Sequence, residues 1–68
     1  MIKDSIGENA GKIWKTLDEN MELNVKELKK ATRLNDNDLH LALGWLSKEN
    51  KVIFFESDGE IKIRLLKN

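Results

Sequence analysis

Residues 24–46 read NVKELKKATRLNDNDLHLALGWL and contain two helix starts separated by a short turn. Asn24 precedes Glu27 by three residues, the spacing of a capping box, and Asn35 precedes Asp38 by the same interval. Apolar residues follow each start at helical spacing, and Asn50 can adopt the left-handed conformation that ends a helix. The stretch therefore predicts one helix over residues 25–32 and another over residues 36–49.

The two predicted helices differ in surface charge. The first carries its basic residues on the outer surface and in the last turn, and its expected buried side is Val25, Leu28 and Ala31. The second has the apolar stripe Leu39, Ala42, Leu43 and Leu46. Its ionisable groups are Asp36, Asp38 and Glu49 against Lys48, which leaves two negative charges in excess.

A β-hairpin is predicted downstream, where residues 52–55 and 61–65 flank Asp58-Gly59, a strong signal for a two-residue turn. If Ser57 faces Glu60, the register follows along both strands. The expected inner face is Val52, Phe54, Ile61, Ile63 and Leu65. The outer face then holds Ile53 and Phe55 beside Lys62 and Arg64, whose aliphatic stems are expected to cover part of the apolar surface.

Upstream, residues 3–20 predict a first helix with the apolar stripe Ile6, Ala10, Ile13, Trp14 and Leu17, and we expect Trp14 to belong to the core. Gly7 and Gly11 weaken this helix, so they are expected either to allow close approach of a neighbour or to be tolerated. Residues 21–23 alternate apolar and polar and predict a short edge strand.

Composition limits the possible classes of protein. The chain has 68 residues and no cysteine, so one small domain over residues 1–68 must be stabilised by packing or self-association. Twelve basic and twelve acidic residues give no net charge that would attract nucleic acid. Asp4 and Glu8 argue against a signal peptide, and no apolar run reaches the length of a membrane span. We expect a cytoplasmic protein without a membrane partner.

The order helix, strand, helix, turn, helix, hairpin resembles the winged helix-turn-helix superfamily, a small α+β fold, over essentially the whole chain. The resemblance is carried by residues 23–28, by Leu34-Asn35 with Leu39, Leu43 and Leu46, and by residues 50–53. More narrowly, Ile13-Trp14-Lys15 and residues 43–46 resemble a family of short stand-alone winged helix proteins from bacteria and archaea, for which no function is established.

The resemblance implies a nucleic-acid-binding, transcription-associated module, in which the third helix enters the major groove and the hairpin, or wing, touches the backbone. Asn37, His40 and Lys48 are the plausible contacts on that helix. The phosphate contacts implied elsewhere are Lys26, Lys29, Lys30, Arg33, Lys62 and Arg64. However, Asp36 and Asp38 would repel phosphates, although carboxylates there also stabilise the helix start. They disfavour a DNA partner.

A second function, protein interaction or homodimerisation, is favoured by the local chemistry. Leu41 and Trp45 lie one turn apart and away from the apolar stripe, so we expect them to be at least partly exposed. With Ile53 and Phe55 they would form an interaction patch, unless Trp45 packs under the first helix or the C-terminal residues. We expect a homodimer at micromolar concentration that Trp45→Ala disrupts.

Catalysis and cofactor binding have little support in the sequence. His40 has no obvious partner for nucleophilic catalysis and is expected to be an exposed surface residue. Residues 7–12 depart from a phosphate-binding loop in spacing and in the missing hydroxyl, and residues 35–38 lack the features of a calcium loop. We therefore expect no enzyme activity, cofactor, metal or small-molecule ligand.

Overall fold

A computed structural model describes residues 2–66, with side chains from residue 5 onward. Three helices and three strands occur in the order α1 (Ile2–Asn20), β1 (Glu22–Asn24), α2 (Val25–Thr32), α3 (Asp36–Lys48), β2 (Val52–Ser57) and β3 (Glu60–Leu65). The α+β class and every expected element are confirmed. The bounds differ by one residue at the start of α1, at both ends of β1, at the end of α3 and at the start of β3, and β2 extends two residues further than expected.

Local hydrogen bonds explain where the helices begin and end. The Asn24 side chain accepts from the Glu27 amide at 2.7 Å, and the Glu27 carboxylate accepts from the Asn24 amide at 2.9 Å, which completes the capping box. At α3 the Asn35 side chain accepts from the Asp38 amide at 2.8 Å. Asn50 has a φ of 57°, so the helix stops there as expected.

The sheet is antiparallel with strand order β1-β3-β2. Its register confirms the expected hairpin: Ser57 faces Glu60, Phe54 faces Ile63 and Val52 faces Leu65. Asp58 and Gly59 both have positive φ, the geometry of a type I′ turn, which matches the twist of the flanking strands. β1 pairs with the other side of β3, where Leu23 faces Ile63.

One apolar core lies between the helices and the inner face of the sheet. Ile13, Leu17, Leu28, Leu39 and Ile63 are almost completely buried within it. Leu34 is also buried, and with Leu39 it occupies the two positions of a hydrophobic staple around the start of α3. The start of α3 is thus fixed both by the Asn35 hydrogen bond and by apolar packing.

The predicted core is wrong at the margins of three elements. Trp14 is 43% exposed, because it lies beside the buried stripe of α1 rather than within it. Ala31 is exposed near the end of α2, where only Leu28 is fully covered. Phe54 and Ile61 lie on the expected inner face but are 43% and 51% exposed, because Phe54 stands on the edge strand beside buried Ile63 and Ile61 stands near the hairpin tip.

Candidate binding surfaces on the third helix and the wing

The outer surface of α3 presents the polar residues expected to contact nucleic acid. Asn37, His40 and Lys48 are all exposed. His40 Nδ1 donates to the Asp36 carbonyl oxygen one turn earlier, at 2.6 Å, which fixes the imidazole against its own helix. His40 is exposed, as expected, and its side chain bonds to the backbone of its own helix.

The start of α3 is joined to α2 by an ion pair. Lys29 Nζ lies 2.8 Å from Asp36 Oδ1. The hydrogen bond from Lys29, together with its positive charge, holds the pKa of the Asp36 carboxyl below its usual value. Lys29 is therefore engaged by an acid of α3, which reduces its availability to a phosphate.

The two basic residues of the wing are engaged in a similar way on the outer face of the sheet. Lys62 Nζ lies 3.9 Å from a carboxylate oxygen of Glu22 on the neighbouring strand. The Arg64 guanidinium carbon lies 5.7 Å from the centre of the Phe55 ring, a cation–π arrangement. Arg64 therefore covers part of Phe55, as expected for the basic side chains of this face. Ile53 and Phe55 are each half-buried.

Basic residues of α2 form a different kind of surface. Lys26, Lys30 and Arg33 are exposed, and none of them makes an ion pair with another residue in the described part of the chain. These three cations are the remaining candidates for phosphate contact, but they lie on the helix before α3 rather than on α3 itself.

On α3, Trp45 lines a groove between α3 and α1, whereas Leu41 lies outside that groove. Leu41 is 45% exposed, and Trp45 is half-buried with Lys48 Nζ 5.8 Å from the centre of its ring. A groove of about 240 Å³ is lined by Ala10, Gly11, Trp14, Trp45, Leu46, Glu49 and Lys51. The two tryptophans of the chain therefore line a single groove, and a methyl group at Gly11 would meet no atom within 4 Å.

The expected patch of Leu41, Trp45, Ile53 and Phe55 spans two surfaces. Trp45 packs against the core beside α1, whereas Ile53 and Phe55 lie on the sheet face that points away from the core. Sequence reasoning missed Trp14, Phe54 and Ile61 as exposed apolar residues. For Ile61 the signal was available, because it lies two residues from Gly59 and hence near the hairpin tip.

Within the described residues, no group of three or more His, Cys, Asp or Glu side chains is arranged to hold a metal ion. No helix in the same part of the chain is long and apolar enough to cross a membrane.

Helix-turn-helix, three-stranded sheet and hairpin together define a winged helix-turn-helix domain. Residues 1–65 match the family described as "Winged helix-turn-helix domain (DUF2582)", and the chain belongs to that family. It is 36% identical over 63 residues to "Uncharacterized protein MJ1608" of Methanocaldococcus jannaschii, which covers 88% of this chain and 89% of that protein. It is also similar to the solution NMR structure of protein BT2368 from Bacteroides thetaiotaomicron, with 38% identity and a TM-score of 0.84, over 96% of this chain and 79% of that chain.

Proposed function

We propose that this domain is a non-catalytic protein-binding module that associates with a second copy of itself, rather than a reader of DNA sequence. The observation that carries the proposal is that α3 and the wing expose apolar side chains. These elements hold exposed Leu41, Phe54 and Ile61 at positions where a DNA-binding relative would need cations.

The charges on the same elements also favour protein binding. Lys62 and Arg64 each lie against a neighbouring side chain, and Asp36 draws Lys29 toward the start of α3. Affinity for DNA depends mainly on neutralising phosphates, so a surface whose cations are already engaged has little to offer a duplex. Apolar and aromatic side chains with few free charges are instead typical of the centre of a protein interface.

Self-association is the form of protein binding that the composition favours. The chain carries no net charge, so two copies approach without overall electrostatic repulsion. A domain of this size buries a small core, and an isologous contact would add burial at the exposed apolar residues. We expect this association to take place in the cytoplasm.

The test is sedimentation velocity of the full chain from low micromolar to millimolar concentration, combined with fluorescence anisotropy on a random-sequence DNA duplex at low salt. We expect a concentration-dependent monomer–dimer equilibrium and no appreciable duplex binding. A chain that stays monomeric up to millimolar concentration would refute self-association. Duplex binding that weakens steeply with added salt would refute the preference for protein.

DNA binding is the second candidate, and the free cations of α2 favour it. Lys26, Lys30 and Arg33 could contact phosphates while Asn37 and His40 approach the bases. In that case DNA-induced NMR shifts would appear on α2 and fade with salt. Under our proposal, shifts appear instead on protein dilution, at the exposed apolar residues.

A further inference from the structure

The outer edge of the sheet at β2 has unpaired backbone groups. β2 is an edge strand, because β3 lies between it and β1. The Leu66 amide donates to the Lys51 carbonyl at 2.9 Å, so residues 51, 53, 55 and 57 direct their backbone groups toward β3. The alternate residues Val52, Phe54 and Glu56 direct their N–H and C=O groups away from the sheet, where they have no partner in the described residues.

The β2 edge has few of the features that usually protect a free edge strand. Its sequence, VIFFES, contains no proline or lysine and one charged residue, Glu56, and its pairing with β3 is continuous over all six residues. The opposite edge, β1, is only three residues long, and its Glu22 and Asn24 side chains reach Lys62 and Glu60. An edge strand this long and apolar is prone to pair with another strand.

We propose that β2 pairs antiparallel with β2 of a second copy, which joins the two sheets across a twofold axis at Phe54. This inference rests on the proposed self-association and assigns its contact surface. Of the patch predicted from sequence, it keeps Ile53 and Phe55 on β2 and leaves out Leu41 and Trp45 on α3.

The register follows from the unpaired groups and from charge. Phe54 then lies opposite Phe54 of the partner subunit, and Val52 lies opposite Glu56 of the partner subunit. Each of these pairs can exchange two backbone hydrogen bonds. This register keeps the two Glu56 carboxylates from lying directly opposite each other, an arrangement that would be destabilising. It also places Ile53 opposite Phe55 of the partner subunit on the outer face. The half-buried apolar residues of the two copies then form one continuous surface.

A second copy fits this edge better than an unrelated strand does. The edge is complementary to itself, since both copies offer the same alternating donors and acceptors and the same apolar side chains. A twofold contact uses both free edges at once and closes the assembly as a dimer. The α1–α3 groove with its two tryptophans then stays open in each copy.

The first measurement is amide hydrogen exchange of the unmodified protein at low and high concentration. We expect exchange to slow with concentration at Val52, Phe54 and Glu56, while the amides of Ile53 and Phe55, already bonded to β3, change little. Strand pairing would be overturned if exchange slowed equally along the whole strand. It would also be overturned if exchange in β2 did not slow while the protein dimerised. This measurement needs no substitution and is independent of any folding defect in a variant.

The second measurement is the dimer dissociation constant of matched variants by sedimentation velocity. Phe54→Lys places two lysines opposite each other at the axis and should weaken the dimer by about tenfold or more. Met21→Lys makes the same kind of change at an exposed apolar residue beside β1, at the opposite edge of the sheet, so it should leave the dimer nearly unchanged.

Trp45→Ala separates the failure of this inference from the failure of the proposed function. If the dimer forms, tolerates Phe54→Lys and is lost in Trp45→Ala, the contact lies on α3 and strand pairing is wrong, while self-association stands. If the wild-type chain never dimerises, both proposals fail together.

Discussion

The acidic start of α3 leads to a prediction about DNA affinity. We consider the double variant Asp36→Asn and Asp38→Asn, which keeps side-chain volume and retains the Asp38 backbone amide that donates to Asn35. The change raises the net charge of the chain from 0 to +2 and removes the excess negative charge of α3. It also removes the carboxylate that lies 2.8 Å from Lys29.

The expected magnitude follows from counting phosphate contacts. Each added contact makes the slope of log K against log salt steeper by about 0.9 for duplex DNA. Release of Lys29 provides one such contact, so the variant should lose about three- to fourfold more affinity than the wild type between about 50 and 200 mM salt. At low salt the variant should bind a random duplex that the wild type binds poorly or not at all.

Fluorescence anisotropy on a labelled duplex over a salt series measures both quantities. The matched control is Glu8→Gln with Glu19→Gln, which makes the same change in net charge on exposed positions of α1. We expect the control to gain much less affinity than the α3 variant. Equal gains in both variants would show that net charge, rather than the position of the acids, governs binding, and no gain in either would refute the electrostatic argument.

Three further predictions concern stability and titration. Asn24→Ala removes the acceptor of the capping box and should lower the free energy of unfolding in urea by about 1 kcal/mol, whereas Asn24→Ser, which can still accept from the Glu27 amide, should retain most of it. Asn50→Ala keeps a β-carbon at a φ of 57° but loses the short polar side chain that lets asparagine adopt this conformation, and it should cost about 1 kcal/mol in the same assay, while Asn50→Gly should cost nothing; equal losses would exclude backbone strain as the cause. The folded pKa of Asp36 lies below its ordinary value of 3.8, so its contribution to stability is present above that value and lost as pH falls through the folded pKa. Carboxyl carbon NMR should show this low midpoint, and Lys29→Gln should raise it; a midpoint unchanged in that variant would exclude the ion pair as its cause.

The helix starts and the hairpin register could be predicted because they depend on groups close together in the chain. An asparagine three residues before a glutamate needs only its own backbone to form a cap, and the Asp58-Gly59 turn sets which residues face each other along both strands. These features are decided by a few neighbouring residues, so the sequence alone determined them.

The surface that could bind a partner was decided by the tertiary structure. Trp14 and Phe54 have the periodicity of core residues, yet Trp14 lies beside the buried stripe of α1 and Phe54 lies on an edge strand, and no neighbouring element covers either fully. Likewise, the engagement of Lys29 by Asp36 depends on how α2 and α3 are placed, and the free edge of β2 depends on β3 lying in the middle of the sheet. Periodicity determines which face of an element is apolar, but only the packing of the elements against one another determines how far that face is covered.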